Sequence, residues 1–128
     1  MTQHAVLLSH GHLAEELKKT TEMIMGDQPT LHALGLKPEE GPEEFQARLE
    51  AELAGLDNFV IFVDLQGGTP CNVASRLLLD GQTFRLYAGM NLPLVIAFIN
   101  GQYTSGEATD LLDQAKAGLV DVTALLGK

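Results

Sequence analysis

The 128-residue sequence has one cysteine, no tryptophan, two tyrosines and only eight lysines and arginines. Each scarcity removes a class of function. A lone Cys71 can close no internal disulfide and build no cysteine-based zinc site. Eight cations against 17 carboxylates give a formal net charge of −9. No basic stripe is left to neutralise a row of phosphates, which argues against nucleic-acid binding, and an anionic membrane surface repels such a chain. The longest apolar stretches, Phe59–Val63 and Leu92–Ile99, fall far short of the roughly 20 residues that a spanning helix needs. Met1-Thr2-Gln3-His4 lacks the basic region and apolar core of a signal peptide. The reading is a cytoplasmic, acidic protein whose residues 1–128 form a single domain, large enough to bury roughly two-thirds of its unfolded-state surface.

What is present is a regular alternation of elements. Ala5-Val6-Leu7-Leu8 reads as a buried strand that stops at Ser9-His10-Gly11. From His12 the period changes: Leu13, Leu17, Ile24 and Met25 fall on one helical face, with Glu15, Glu16, Lys18 and Lys19 opposite, and Gly26 supplies a helix stop. Leu31–Leu36 is a second strand. Pro42 suits the first position of a helix carrying Phe45, Leu49, Leu53 and Leu56 on one face; its six Glu between Lys37 and Glu52 read as a solvated face and loop. Phe59–Val63 is apolar on both faces, as a central parallel strand should be. It passes through Asp64-Leu65-Gln66-Gly67-Gly68-Thr69-Pro70 into a helix with Val73, Ala74, Leu77 and Leu78. Phe84–Ala88 is a fourth strand, followed by a short apolar helix. Thr104 with Glu107 fits a capping box opening a last helix through Ala117, and Val120–Leu125 reads as a final strand. Successive β-then-α units predict a doubly wound α/β domain, a parallel sheet with helices on both faces.

In such a sheet, ligands bind beyond the carboxyl ends of the strands where strand order reverses. For the order 2-1-3-4 that point lies between the first and third strands, which end in Ser9-His10-Gly11 and Asp64–Pro70. An imidazole attacks phosphorus through an unprotonated nitrogen, so its other nitrogen must hold the proton. A carboxylate accepting that proton's hydrogen bond fixes the tautomer and offsets the developing positive charge. His10 and Asp64 are the candidates for these roles. Gly11, Gly67 and Gly68 let backbone approach closely, helix N-termini follow Gly11 and Pro70, and Thr69 adds a hydroxyl: together a cradle for a phosphoryl group. Neither loop holds a Lys or Arg, which suits reversible transfer.

These residues resemble a family. Ser9-His10-Gly11 followed by Leu13-Ala14, the Met23–Gly26 helix end, Asp64–Ala74 and Ala88-Gly89-Met90-Asn91-Leu92-Pro93 together look like the mannose-type enzyme IIA of the bacterial sugar phosphotransferase system. The likeness covers essentially the whole chain, and Gly-Gly-Thr-Pro after a strand-end Asp is its most specific part. It implies a phosphotransferase relay component: His10 accepts a phosphoryl group from the phosphocarrier HPr and passes it to a IIB component, Asp64 orients His10, and Thr69 stands near the phosphoryl group where the family often has Ser. It also implies a homodimer exchanging a C-terminal antiparallel strand, here Val120–Leu125, and a free-standing IIA working without metal or organic cofactor. The sugar is not legible, because selectivity belongs to the membrane components.

Other readings of the same residues stay open. The phosphoryl-donor subunit of dihydroxyacetone kinase shares the fold and a His after the first strand, although its third-strand loop is Met-Gly-Ser-like. A non-catalytic flavodoxin-like ligand-binding domain is disfavoured by few aromatic rings, and a Cys71 hydrolase by the missing cationic phosphate clamp. His10 and His12 make a His-x-His pair with no third metal ligand. His4 and His32 read as ordinary strand or surface histidines. Asn72, Asn91 and Arg76 are candidates for a pocket rim or partner contact.

Overall fold

The structure, a computed structural model, describes residues 2–103 and 110–128. Four strands, β1 (His4–His10), β2 (Leu31–Leu36), β3 (Phe59–Val63) and β4 (Arg85–Ala88), pair in parallel in the order β2-β1-β3-β4. The described residues divide into two compact units, 1–90 and 91–128.

In the first unit the two central strands are the apolar ones. Residues 5–9 of β1 and 60–63 of β3 are buried, whereas the edge strand β4 has no buried residue. Alternation divides each strand between two faces. Val6, Leu8, Ile61 and Val63 form one core with Phe45, Leu49 and Leu53 of α2 (Pro42–Leu53) and Val73, Ala74 and Leu77 of α3 (Thr69–Leu79). The opposite face of β1 and β2 is covered by α1 (Leu13–Met25). Helices therefore lie on both faces, as right-handed crossovers around this strand order require. Pro42 opens α2 as expected, and the Gly41 amide donates to Glu44 Oε1 at 3.0 Å.

The packed face of α1 overlaps only in part the one its apolar residues mark, with Leu17 and Met25 half-buried. Ala14 and Thr21 are buried, whereas Leu13 and Ile24 are exposed. Small side chains let the helix axis approach the strands closely, and the broader apolar stripe is thereby turned about a quarter-turn outward.

The second unit holds α4 (Leu92–Tyr103), α5 (Leu111–Ala117) and α6 (Val122–Leu125), with α4 and α5 in contact. Asn91 Oδ1 accepts from the Leu94 amide at 2.9 Å and caps α4. The capping box of Thr104 and Glu107 lies outside the described residues. The final segment corrects an expectation: Val122–Leu125 is a helical turn, and no strand forms over 120–125. Asp121 Oδ1 accepts from the Ala124 amide at 3.2 Å, so the turn satisfies its backbone locally, despite the β-branched Val122 and Thr123, where a strand would need a second backbone alongside. The exchanged C-terminal strand goes with it. Among the described residues no helix is long and apolar enough to cross a membrane.

Candidate functional site

β1 and β3 deliver their terminal residues to one point. The register runs Leu8↔Val63, and the Asp64 amide extends the ladder by donating to Leu8 O at 3.1 Å. The carboxylate is thus anchored by sheet hydrogen bonds two residues from His10. Asp64 Oδ2 accepts from the His10 backbone amide at 2.9 Å and stands 2.9 Å from His10 Nδ1. A carboxylate can only accept, so Nδ1 carries the proton and Nε2 is left with its lone pair in the neutral ring. His10 is about half exposed, its side chain retaining 48% of its accessibility against 13% for Asp64. The imidazole is reachable from solvent while the carboxylate is shielded.

Asp64 Oδ1 is buried and has no hydrogen-bond partner among the described residues. Burial of that oxygen places the carboxylate's charge in a low-dielectric setting, where it acts more strongly on positive charge at the imidazole.

The surrounding loops are shaped by particular residues. Gly11 turns the chain at φ 54°, and its amide donates to Leu36 O at 2.9 Å. A side chain at Gly35 of β2 would overlap the Gly11 carbonyl oxygen. Gly67 has φ 85°, a conformation that favours glycine, and its carbonyl accepts from Asn72 Nδ2 at 3.2 Å. Gly68 precedes α3 and lies against His10: a Cβ there would come 2.6 Å from His10 Cε1 and 3.2 Å from Nε2. The amino end of α3 therefore stands beside the free nitrogen. Thr69 is its first residue, and the first-turn amides of Thr69 and Cys71 have no intrahelical partner, so they suit an anion. The amino end of α1 has less to offer, because the Ala14 amide already donates to the buried Ser9 Oγ at 2.7 Å.

His10, Gly11, Asp64, Gly67, Gly68 and Thr69 thus gather at the carboxyl ends of β1 and β3. His12 stands apart, its Nδ1 3.2 Å from Glu15 Oε1 on an exposed turn. Cys71 is buried with its sulfur 4.0 Å from Ser75 Oγ. Arg76 lines a cavity of about 160 Å³ with Pro42, Thr69, Asn72 and Val73. His4 and His32 lie at the opposite end of the sheet, their Nδ1 and Nε2 3.0 Å apart, with His32 Nδ1 donating to Glu52 at 2.8 Å. Among the described residues no three His, Cys, Asp or Glu side chains gather as a metal site. Sequence reasoning missed Ser9 and Gly35. A serine one residue before the candidate histidine, where a helix begins nearby, was the available signal for the first; Gly35 had none, since its contact is with a residue 24 positions away.

Known proteins resemble this chain in sequence and in fold. Residues 4–116 match the family model for the mannose-type EIIA, described as the PTS system fructose IIA component. The mannose-specific EIIAB component of Escherichia coli K12 is 36% identical over 99 residues, 75% of this chain but 31% of that longer protein. The sorbose-specific EIIA component of Klebsiella pneumoniae is 30% identical over 116 residues, 89% of this chain and 84% of that one. A PTS IIA protein associated with the fucose utilization operon of Streptococcus pneumoniae superposes with a TM-score of 0.88 at 26% identity, covering 98% of this chain and 97% of that one. A mannose/sorbose-specific IIA subunit from Enterococcus faecalis gives 0.80 at 30% identity, covering 94% and 95%. With a four-stranded sheet in the order 2-1-3-4 and a family match that runs from β1 into α5, the chain belongs to the mannose-type enzyme IIA family of the sugar phosphotransferase system.

Proposed function

We propose that the whole chain acts as one cytoplasmic phosphocarrier domain, in which His10 takes a phosphoryl group from phospho-HPr and gives it to the IIB component of a sugar transporter. The carrying observation is the 2.9 Å contact between Asp64 Oδ2 and His10 Nδ1, which leaves Nε2 as the nucleophile. In the forward step Nε2 forms a bond to phosphorus as the donor's nitrogen–phosphorus bond breaks, and the donor imidazole keeps the electron pair. The Nδ1 proton stays in place, so the phosphorylated ring carries positive charge that Asp64 offsets. Transfer to IIB is the same displacement in reverse sense, with His10 as leaving group. First-turn amides of α3 and the Thr69 hydroxyl receive phosphoryl oxygens, while the absence of Lys and Arg from both loops keeps the group transferable. No metal or organic cofactor enters.

The reading includes a homodimer. Leu119, Val120, Val122, Leu125 and Leu126 are all more than half exposed, an apolar concentration that a second copy would cover.

The test is incubation with phosphoenolpyruvate, enzyme I and HPr. Acid-labile phosphate on this protein, absent when HPr is omitted, supports the relay; none with all components present overturns it.

A further inference from the structure

The two adjacent glycines of the β3–α3 loop have different reasons to be glycine. Gly67 has φ 85° and is required by its backbone. Gly68 is not: at φ −81° and ψ 169° it is extended backbone that any residue adopts. Its place before α3 makes the missing side chain more telling. This is the N-cap, where Ser, Thr, Asp or Asn would accept a first-turn amide and stabilise the helix. Gly68 makes no such side-chain bond, so neither torsion nor capping explains it.

The explanation lies across the loop. A Cβ on Gly68 would stand 2.6 Å from His10 Cε1 and 3.2 Å from Nε2, and the first of these is closer than real Cβ contacts come. The opposite constraint is Asp64, whose Oδ2 holds both Nδ1 and the backbone amide of His10 at 2.9 Å. The imidazole is thus held by a hydrogen bond at Nδ1 and confined by bare backbone at Cε1. Gly68 cannot retreat freely, because its carbonyl accepts from the Asn72 amide at 2.9 Å and the Asn72 side chain holds Gly67 O. The ring, about half exposed, is the part that must yield.

Resting on the phosphocarrier reading, we infer that Gly68 is a positioning residue for His10, setting the ring's orientation so that Nδ1 meets Asp64 while Nε2 faces the amino end of α3. A side chain at 68 swings the imidazole outward and separates the nucleophile from the amides that receive the phosphoryl group. Displacement of reacting atoms by about 1 Å is enough to slow a reaction about a hundredfold.

The test compares the full-length wild type with Gly68→Ala and Gly68→Ser. Gly55→Ala is the control, since a Cβ at Gly55 has no neighbour within 4 Å. Two readouts are taken: the His10 tautomer by ¹⁵N NMR, and transfer from phospho-HPr as a function of its concentration. Both Gly68 variants should stay folded, with Ser restoring helix capping. In both, kcat should fall about a hundredfold at a KM within twofold of wild type, and the Nδ1–H form should lose its dominance. Rates are expressed per folded molecule; for a variant that folds poorly, trimethylamine N-oxide raises the folded fraction. A wild-type rate per folded molecule in Gly68→Ala, with an unchanged tautomer, overturns the inference. If the wild type itself takes no phosphate, the phosphocarrier reading fails, and the tautomer comparison alone decides whether Gly68 positions His10.

Discussion

A single oxygen of Asp64, Oδ2, holds His10 at two points, accepting from its backbone amide and from Nδ1, each at 2.9 Å. The backbone bond fixes where the β1 end lies, and the side-chain bond fixes which nitrogen is free. Asp64→Asn separates these from charge. The amide keeps one accepting oxygen but cannot offset an imidazolium, and its NH₂ can compete for Nδ1. Loss of a charged hydrogen bond of this kind is worth about 1.5–3 kcal/mol, so transfer from phospho-HPr should slow about ten- to a hundredfold. The melting temperature should change little. An unchanged rate with a large drop in melting temperature would make Asp64 a structural group.

Ser9 should behave in the opposite way. Its hydroxyl is fully buried and accepts from the Ala14 amide at 2.7 Å, so Ser9→Ala leaves a buried donor without a partner. A loss of about 1–3 kcal/mol is expected, measured as a shift of the urea midpoint with an unchanged slope. Transfer per folded molecule should move much less than in Asp64→Asn.

Stability at acid pH should depend on Glu40. Burial pushes its carboxyl up, but the backbone N–H of Lys37, the hydrogen bonds from Arg48 and the charges of Arg48 and Lys37 outweigh this and hold it below its ordinary 4.5. A depressed folded-state value means that the stabilisation is present above pH 4.5 and is lost as pH falls through the lower, folded value. Urea midpoints should therefore decline with falling pH below 4.5, and Glu40→Gln should flatten that decline while lowering stability at neutral pH. Equal slopes in the two proteins would remove Glu40 from the account.

Self-association should depend on the C-terminal segment. Leu125 and Leu126 are 72% and 70% exposed. Replacing both with Ser should give a monomer by sedimentation velocity at concentrations where the wild type is a dimer. A wild type that is monomeric at micromolar concentration would contradict the dimer.

What was legible in the sequence follows from the range of each signal. Phe59–Val63 announces a central strand because both of its faces are apolar, and the burial of β3 agrees. Strand order then brings the ends of β1 and β3 together, which is why His10 and Asp64 could be paired from 54 residues apart. The face of α1 was only partly legible for the complementary reason. Periodicity marks where leucines are, not how near a helix comes to its sheet, and Ala14 and Thr21 win that position by being small. The 120–125 segment carried loose alternation, yet one Asp121 cap was enough to favour a local turn. The glycine pair marked a close approach in the β3–α3 loop, but not that Gly68 meets His10, which is 58 residues away in the chain.

The central claim is chemical, that Nε2 of His10 is the atom phosphorylated. ¹⁵N–³¹P coupling in uniformly ¹⁵N-labelled protein, charged by phosphoenolpyruvate, enzyme I and HPr, reads it directly. The account predicts one phosphorus signal coupled to His10 Nε2, with Nδ1 still protonated and hydrogen-bonded to Asp64. Phosphorus coupled to His10 Nδ1, or carried by His4, His12 or His32, would contradict it.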